Sequence, residues 1–119
     1  MSIFDKYCNQ KYCYDAKVVS IYDGDTVRCD IDLGFGIIMR KQKIRLFGVN
    51  TPEIRGESKQ EGYKVRDYVR EEILEKDIEL FTIKDKTGKY GRLLGVIKYG
   101  DKCLNQDLLD KKMAIKFLI

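Results

Sequence analysis

Residues 16–49 read AKVVSIYDGDTVRCDIDLGFGIIMRKQKIRLFGV. In their middle, Thr26–Asp32 alternate strictly. Val27, Cys29 and Ile31 fall on one face while Arg28, Asp30 and Asp32 fall on the other, the period of a half-buried strand. The segment before it, Ala16–Tyr22, is rich in β-branched residues, and Asp23-Gly24-Asp25 then supplies a turn. Gly34 and Gly36 mark a further turn or bulge. A third run from Ile37 to Val49 carries its apolar weight in Ile44, Leu46 and Phe47.

Outward from this core of three strands, Pro52 interrupts the pattern and TPEIRGES reads as a loop. Ser58 followed by Glu61 is the spacing of a reciprocal helix cap. Tyr63, Val65, Tyr68, Val69, Ile73 and Leu74 then keep helical spacing to about Lys76. IELFTI is a fourth strand, DKTGKYG a loop and RLLGVIKY a fifth strand. Gly100-Asp101 suits a tight turn, and LNQDLLDKKMA forms a short closing helix. On the other side, residues 1–14 show no period and read as an extension packed through Phe4, Tyr7 and Tyr12. The expected fold is mainly β with helices: an OB-fold, a five-stranded Greek-key, partly open barrel. One helix lies between strands three and four and a short one at the C-terminus. Periodicity alone leaves this as one option among several small α+β folds.

Composition narrows the chemistry. The chain has 119 residues, the size of one domain, and 23 basic against 19 acidic residues give a net charge of +4. That charge suits a polyanionic partner without requiring one. No apolar run approaches the ~20 residues of a membrane helix. No membrane partner is expected, and the chain is expected to act as a monomer. The N-terminal stretch MSIFDKYCNQKYCYD lacks a basic region followed by an apolar one. A cytoplasmic location is therefore expected, in a host cytoplasm if the chain is phage- or virus-encoded. Histidine is absent, which removes imidazole acid–base chemistry, Ser–His and Cys–His nucleophiles and His-ligated metals. Cys8, Cys13, Cys29 and Cys103 contain no C-x-x-C pair, so free thiols are expected, with Cys29 as a small buried apolar side chain.

Three clusters carry charge that strands alone do not explain. Asp23-Gly24-Asp25-Thr26 can turn two carboxylates toward one hard cation, although Asp-Gly is also common turn punctuation. Ile44-Arg45-Leu46-Phe47-Gly48-Val49-Asn50-Thr51-Pro52-Glu53 puts an arginine inside an apolar strand, where its guanidinium must meet water or an anion. A phosphate suits its planar fork, and so does a neighbouring acid such as Glu53. Asp85-Lys86-Thr87-Gly88-Lys89-Tyr90-Gly91-Arg92 is either a phosphate-binding loop or a solvated hairpin.

In this order and spacing, DGDT…RLFGVNTPE…DKTGKYGR resembles the thermonuclease, or staphylococcal-nuclease-like, family. LNQDLL…MA is similar to its late helix, and the long DIDLGFG hairpin looks more like its small phage and bacterial members. The resemblance covers roughly Ala16 to Ala114 and divides the chain into an extension, 1–15, and an OB-fold domain, 16–119. It implies a calcium-dependent nuclease acting on DNA, RNA or both with little base specificity. By similarity, Asp25 and the main-chain carbonyl of Thr51 would bind the ion, with Asp23 behind them holding water. Glu53 would orient or deprotonate the attacking water, while Arg45 and Arg92 grip the scissile phosphate. Lys89 and Tyr90 would touch the substrate. Phosphodiester hydrolysis needs a nucleophilic water and neutralisation of charge on phosphorus; one cation with two arginines supplies the positive charge and a carboxylate near the cation can position the water, without histidine.

Two departures bear on activity. Asn50 stands where the family commonly has Asp. Its carbonyl oxygen is a permitted calcium ligand, but one negative charge is lost and weaker metal binding is expected. Phe117-Leu118-Ile119 stands where several secreted relatives continue into stacking tyrosines and another helix. These departures support an alternative, a non-catalytic OB module that binds nucleic acid or a protein tail; the retained Glu53, Arg45 and Arg92 oppose it. The apolar tail is expected to close the core, with packing on a partner or a subunit contact as the other reading. Arg40, Lys41 and Lys43 form either an approach face for a strand or a solvated strand face.

Overall fold

A computed structural model describes residues 2–87 and 93–117. Its long antiparallel strands are β1 (Cys13–Asp23), β2 (Thr26–Gly34) and β3 (Ile37–Leu46). A two-residue strand β4 (Val49–Asn50) leads through a loop to helix α1 (Lys59–Ile73). Then come β5 (Asp77–Thr87), β6 (Leu93–Tyr99), the short β7 (Lys102–Cys103), helix α2 (Leu104–Asp110) and β8 (Ile115–Lys116). The sheet order β3-β2-β1-β5-β6-β7 closes on itself through a parallel β3–β6 pairing, Ile44 to Leu46 against Leu93 to Gly95. The result is the expected OB-type barrel of five strands.

The alternation of Thr26–Asp32 sets the inside. Val27, Cys29 and Ile31 are buried, and burial pushes the Cys29 thiol up to about 12. On β1 the buried residues are Ala16, Val18 and Ile21, a spacing that breaks period two. A register shift between Val18 and Ser20 absorbs the extra residue. A second shift, between Ile21 and Asp23, bends the strand end just before the Asp-Gly-Asp turn; bulges beside functional sites commonly re-aim side chains in this way. Gly95 lies where β6 crosses closest to its neighbours: a Cβ there would sit 2.8 Å from Leu80 Cδ1 and 3.2 Å from Ile44 Cγ2.

The segment before β1 is anchored on the core from Ser2 onward. Phe4 is fully buried, and Tyr7 meets the Phe47 ring edge-on with centroids 4.6 Å apart. Ser2 Oγ and Ile3 N donate to Gln106 Oε1 of α2, and Lys98 pairs with Asp5 at 3.0 Å. The β2–β3 hairpin projects beyond the barrel. Leu33, Ile37, Ile38 and Met39 are exposed and Phe35 wholly so, in a molecule 45 × 28 × 28 Å in extent.

One local expectation is corrected. Ser58 does not cap α1: its backbone lies outside the extended region a capping residue adopts, and it makes no cap hydrogen bond. Its Oγ donates instead to the Glu53 carbonyl at 3.1 Å. Of the apolar tail, Phe117 is exposed beside β8, which pairs with β4 outside the barrel; Leu118 and Ile119 lie outside the described residues.

Asn105, fully buried at the start of α2, joins three elements. Its Oδ1 accepts from Ile97 N at 3.1 Å, and its Nδ2 donates to the carbonyls of Phe47 (2.9 Å) and Gly95 (3.2 Å). Asn105→Ala orphans all three groups and is expected to cost about 2–4 kcal/mol in urea unfolding. A loss under about 0.5 kcal/mol, the size of an ordinary surface change, would show that the network does not hold the helix.

Candidate active site

The turns that end β1 and β3 bring Asp23, Asp25, Arg45, Asn50 and Thr51 together. Asp25 is buried. Its main-chain N donates to Asp23 Oδ1 at 3.2 Å, and its carbonyl accepts Leu46 N at 2.8 Å. Its carboxylate accepts Thr26 Oγ1 at 3.2 Å on Oδ1 and Thr51 N at 3.0 Å on Oδ2. Arg45, only 9% exposed, turns its guanidinium into the same turn. Nη1 donates to the carbonyls of Leu46 and Val49, both at 2.8 Å. Nη2 donates to Asn50 Oδ1 at 3.3 Å and lies 3.4 Å from Asp25 Oδ2. The arginine's acidic partner is thus Asp25, not Glu53.

The electrostatics of the cluster are tight. Burial, and next the hydrogen-bonded Asp25 carboxylate, push Asp23 up to about 7. Both costs fall on charging a second carboxylate in a space that already holds one. Gly24 between them packs against α1 and the Thr51 side chain: a Cβ would lie 2.5 Å from Val65 Cγ1 and 3.0 Å from Thr51 Oγ1. That Thr51 hydroxyl is fully buried and has no hydrogen-bond partner among the described residues. Two close carboxylates, an amide oxygen and an orphaned hydroxyl form an all-oxygen donor set, which fits a hard cation such as Ca²⁺. Among the described residues no third Asp, Glu or Cys joins the cluster, so the remaining donors are neutral oxygens.

Glu53 follows on the exposed loop, where its carboxylate has no hydrogen bond or ion pair among the described residues. Its backbone, in contrast, is held twice. Ser58 Oγ bonds its carbonyl, and Gly62 of α1 packs so closely that a Cβ would lie 2.6 Å from the Glu53 carbonyl carbon and 2.9 Å from Ile54 Cα. Lys89, Tyr90 and Arg92 lie outside the described residues.

Residues 43–118 match the family described as Staphylococcal nuclease homologue. The chain belongs to this family. No curated protein matches it. A nuclease-homologue domain has a nuclease-like, nucleic-acid-directed fold, and the match includes Arg45, Asn50, Thr51 and Glu53. Asp23 and Asp25 precede the matched segment; what ties them to it is the contact of Asp25 with Thr51 and Arg45.

Three contributors to the site of this nuclease-homologue domain escape a reading of its motifs. Gly62 was the most legible, since glycine inside a helical pattern costs stability and asks for a packing reason. Arg55 donates to the exposed Tyr22 hydroxyl at 3.1 Å, tying the Glu53 loop to the end of β1. Phe117 places its ring 5.7 Å from the Arg45 guanidinium carbon. These last two contacts join residues far apart in the chain and leave no sequence signal.

Gly62→Ala weighs two opposed effects. Helix propensity gains about 1 kcal/mol, while overpacking against a main-chain carbonyl costs roughly 1–3 kcal/mol. Because backbone yields less than a flexible side chain, a net loss is expected in urea unfolding. A stabilised variant would show that α1 does not clamp the loop.

The metal-free protein should also lose stability as pH rises from about 4 to about 7. Unfolded Asp23 releases its proton near pH ~3.9, whereas folded Asp23 keeps it to about 7. The folded state therefore binds more protons across that window, and unfolding free energy falls with pH. Asp23→Asn should flatten the profile in chelator, gaining most at the alkaline end. A profile parallel to wild type would contradict the shared burial of the two carboxylates.

Proposed function

We propose that this protein is a calcium-dependent nuclease that hydrolyses phosphodiester bonds of DNA, RNA or both with little sequence preference. The observation that carries the reading is the buried junction of Asp25, Arg45 and Thr51, with Asn50 and Glu53 following at once. A structural ion pair would need neither the orphaned Thr51 hydroxyl nor a second, half-buried carboxylate beside the first. Asp25, Asn50 and the Thr51 main-chain oxygen would hold Ca²⁺, with Asp23 beside them. When bound, that ion supplies positive charge against the phosphate oxygens.

The chain's own groups supply the rest. Glu53, unpaired and on a loop clamped from beneath, can accept the proton of an attacking water without losing an existing partner. Arg45 is positioned by its two carbonyl contacts, which fix the guanidinium before substrate arrives. Its Nη2 contacts, at 3.3 and 3.4 Å, are the weaker ones and can be exchanged for a phosphate oxygen. By resemblance, Arg92 supplies the second grip and Lys89 and Tyr90 further contacts. Such donors, fixed where charge grows in the transition state, are a large source of rate.

The test is cleavage of single-stranded DNA and RNA across graded calcium, with chelator as control. Glu53→Ala should reduce cleavage about 10²–10⁴-fold, the usual worth of a positioned base, while binding persists. Asn50→Asp restores a charge and should tighten calcium binding roughly tenfold by calorimetry. Metal-independent binding with no cleavage at any calcium level would instead favour the recognition module.

A further inference from the structure

The sheet face that carries Arg45 holds a second basic pair. From the turn outward, β2 and β3 keep an unbroken register: Thr26 opposite Arg45, Val27 opposite Ile44, Arg28 opposite Lys43, Cys29 opposite Gln42. Side chains alternate along a strand, so Arg28 and Lys43 share the face of Thr26 and Arg45, two residues or about 7 Å further along. Val27, Cys29 and Ile44 fill the core on the opposite face.

Like charges directly opposite each other destabilise an antiparallel pair. Next along the hairpin the fold neutralises its cations: Asp30 takes the Arg40 guanidinium at 3.1 Å and the Lys41 amide at 2.9 Å. Among the described residues Arg28 and Lys43 receive no carboxylate. Arg28 Nη1 donates to the Lys41 carbonyl at 3.0 Å, and Lys43 is exposed, without an ion pair among the described residues. From Leu33 to Pro52 the sequence contains no acid and has Arg40, Lys41, Lys43 and Arg45. The carbonyl contact leaves the Nη2 edge of Arg28 free while fixing the fork, and Lys43 adds a point charge beside it.

We propose that Arg28 and Lys43 form a second phosphate site, binding the phosphate one nucleotide along from the one gripped at Arg45. The inference rests on the nucleic-acid reading of the Arg45 site and adds a second point of contact along the strand. Successive phosphates of one strand lie farther apart through space than the ~3.4 Å axial rise per nucleotide, because the backbone winds around the axis, so a step of about 7 Å suits neighbouring phosphates of a stacked or an unstacked strand.

The test is fluorescence anisotropy with a labelled oligothymidine of about ten nucleotides, in chelator so that no cleavage intervenes, over a range of salt. Arg28→Gln/Lys43→Gln is expected to weaken binding at least about tenfold and to reduce the salt slope by about 0.7, the value for one lost phosphate contact on a single strand. Arg28→Lys/Lys43→Arg should retain the slope. Lys11→Gln/Lys17→Gln, which removes the same charge from β1 and the segment before it, should leave the slope unchanged. The Arg28→Gln/Lys43→Gln protein should melt no lower than wild type, because a like-charge pair has been removed. A wild-type slope in that variant overturns the second site and leaves the nuclease reading intact. Failure of the wild-type protein to bind any oligonucleotide in chelator, together with failure of the Glu53→Ala protein to bind any in calcium, overturns both.

Discussion

The guanidinium of Arg45 joins parts of the chain that no other group joins. It takes the last carbonyl of β3, the first carbonyl of β4, the Asn50 side chain and the carboxylate of the β1–β2 turn. A charge this deep is tolerable only because each contact is made; removing one partner of such a pair costs about 3–5 kcal/mol. Asp25 is fixed equally fully, by Thr26, Thr51 and its own main chain. The site is thus rigid before any ligand arrives, and the rigidity comes from the same contacts that shut the barrel at this end.

Glu53 is held by a different logic. Its side chain is exposed, and its backbone is fastened to α1 through Ser58 Oγ and the bare face of Gly62. The helix packs on the barrel through Val65, Val69 and Ile73. Placement of the loop therefore depends on the core beneath α1, while the carboxylate stays in water. A buried guanidinium and an exposed carboxylate nearby in the chain are thus held by opposite means, the first through its side chain and the second through its backbone.

Much of this was legible. Strict alternation in Thr26–Asp32 exposed the inner face of β2, and the order of the three charged clusters pointed to the family. Where the reading failed, longer-range geometry had overridden a local rule. Ser58 and Glu61 have the spacing of a capping box, but Ser58 enters the helix from a 3-10 turn at Gly56–Ser58 and serves the preceding loop instead. The acid beside Arg45 was expected to be a near neighbour such as Glu53; it is Asp25, twenty residues earlier, brought near by the Thr26–Arg45 register. The packing of the extension was read from its aromatic residues, and Phe4 and Tyr7 do meet the core.

The tail after α2 limits how Arg45 can be approached. β8 pairs with β4, the Phe117 amide bonds the Gly48 carbonyl at 3.0 Å, and the Phe117 ring then lies beside the guanidinium. A cation–π contact at a half-exposed position contributes about 0.5–1 kcal/mol, too little to anchor a segment but enough to favour one ring position. With Nη1 committed to two carbonyls and a ring beside the guanidinium, the Nη2 edge offers the loosest contacts, the 3.3 Å and 3.4 Å ones toward Asn50 and Asp25. That edge is also the one that faces the carboxylate of the β1–β2 turn, so any group that takes it must replace an amide oxygen and a carboxylate as partners of the guanidinium.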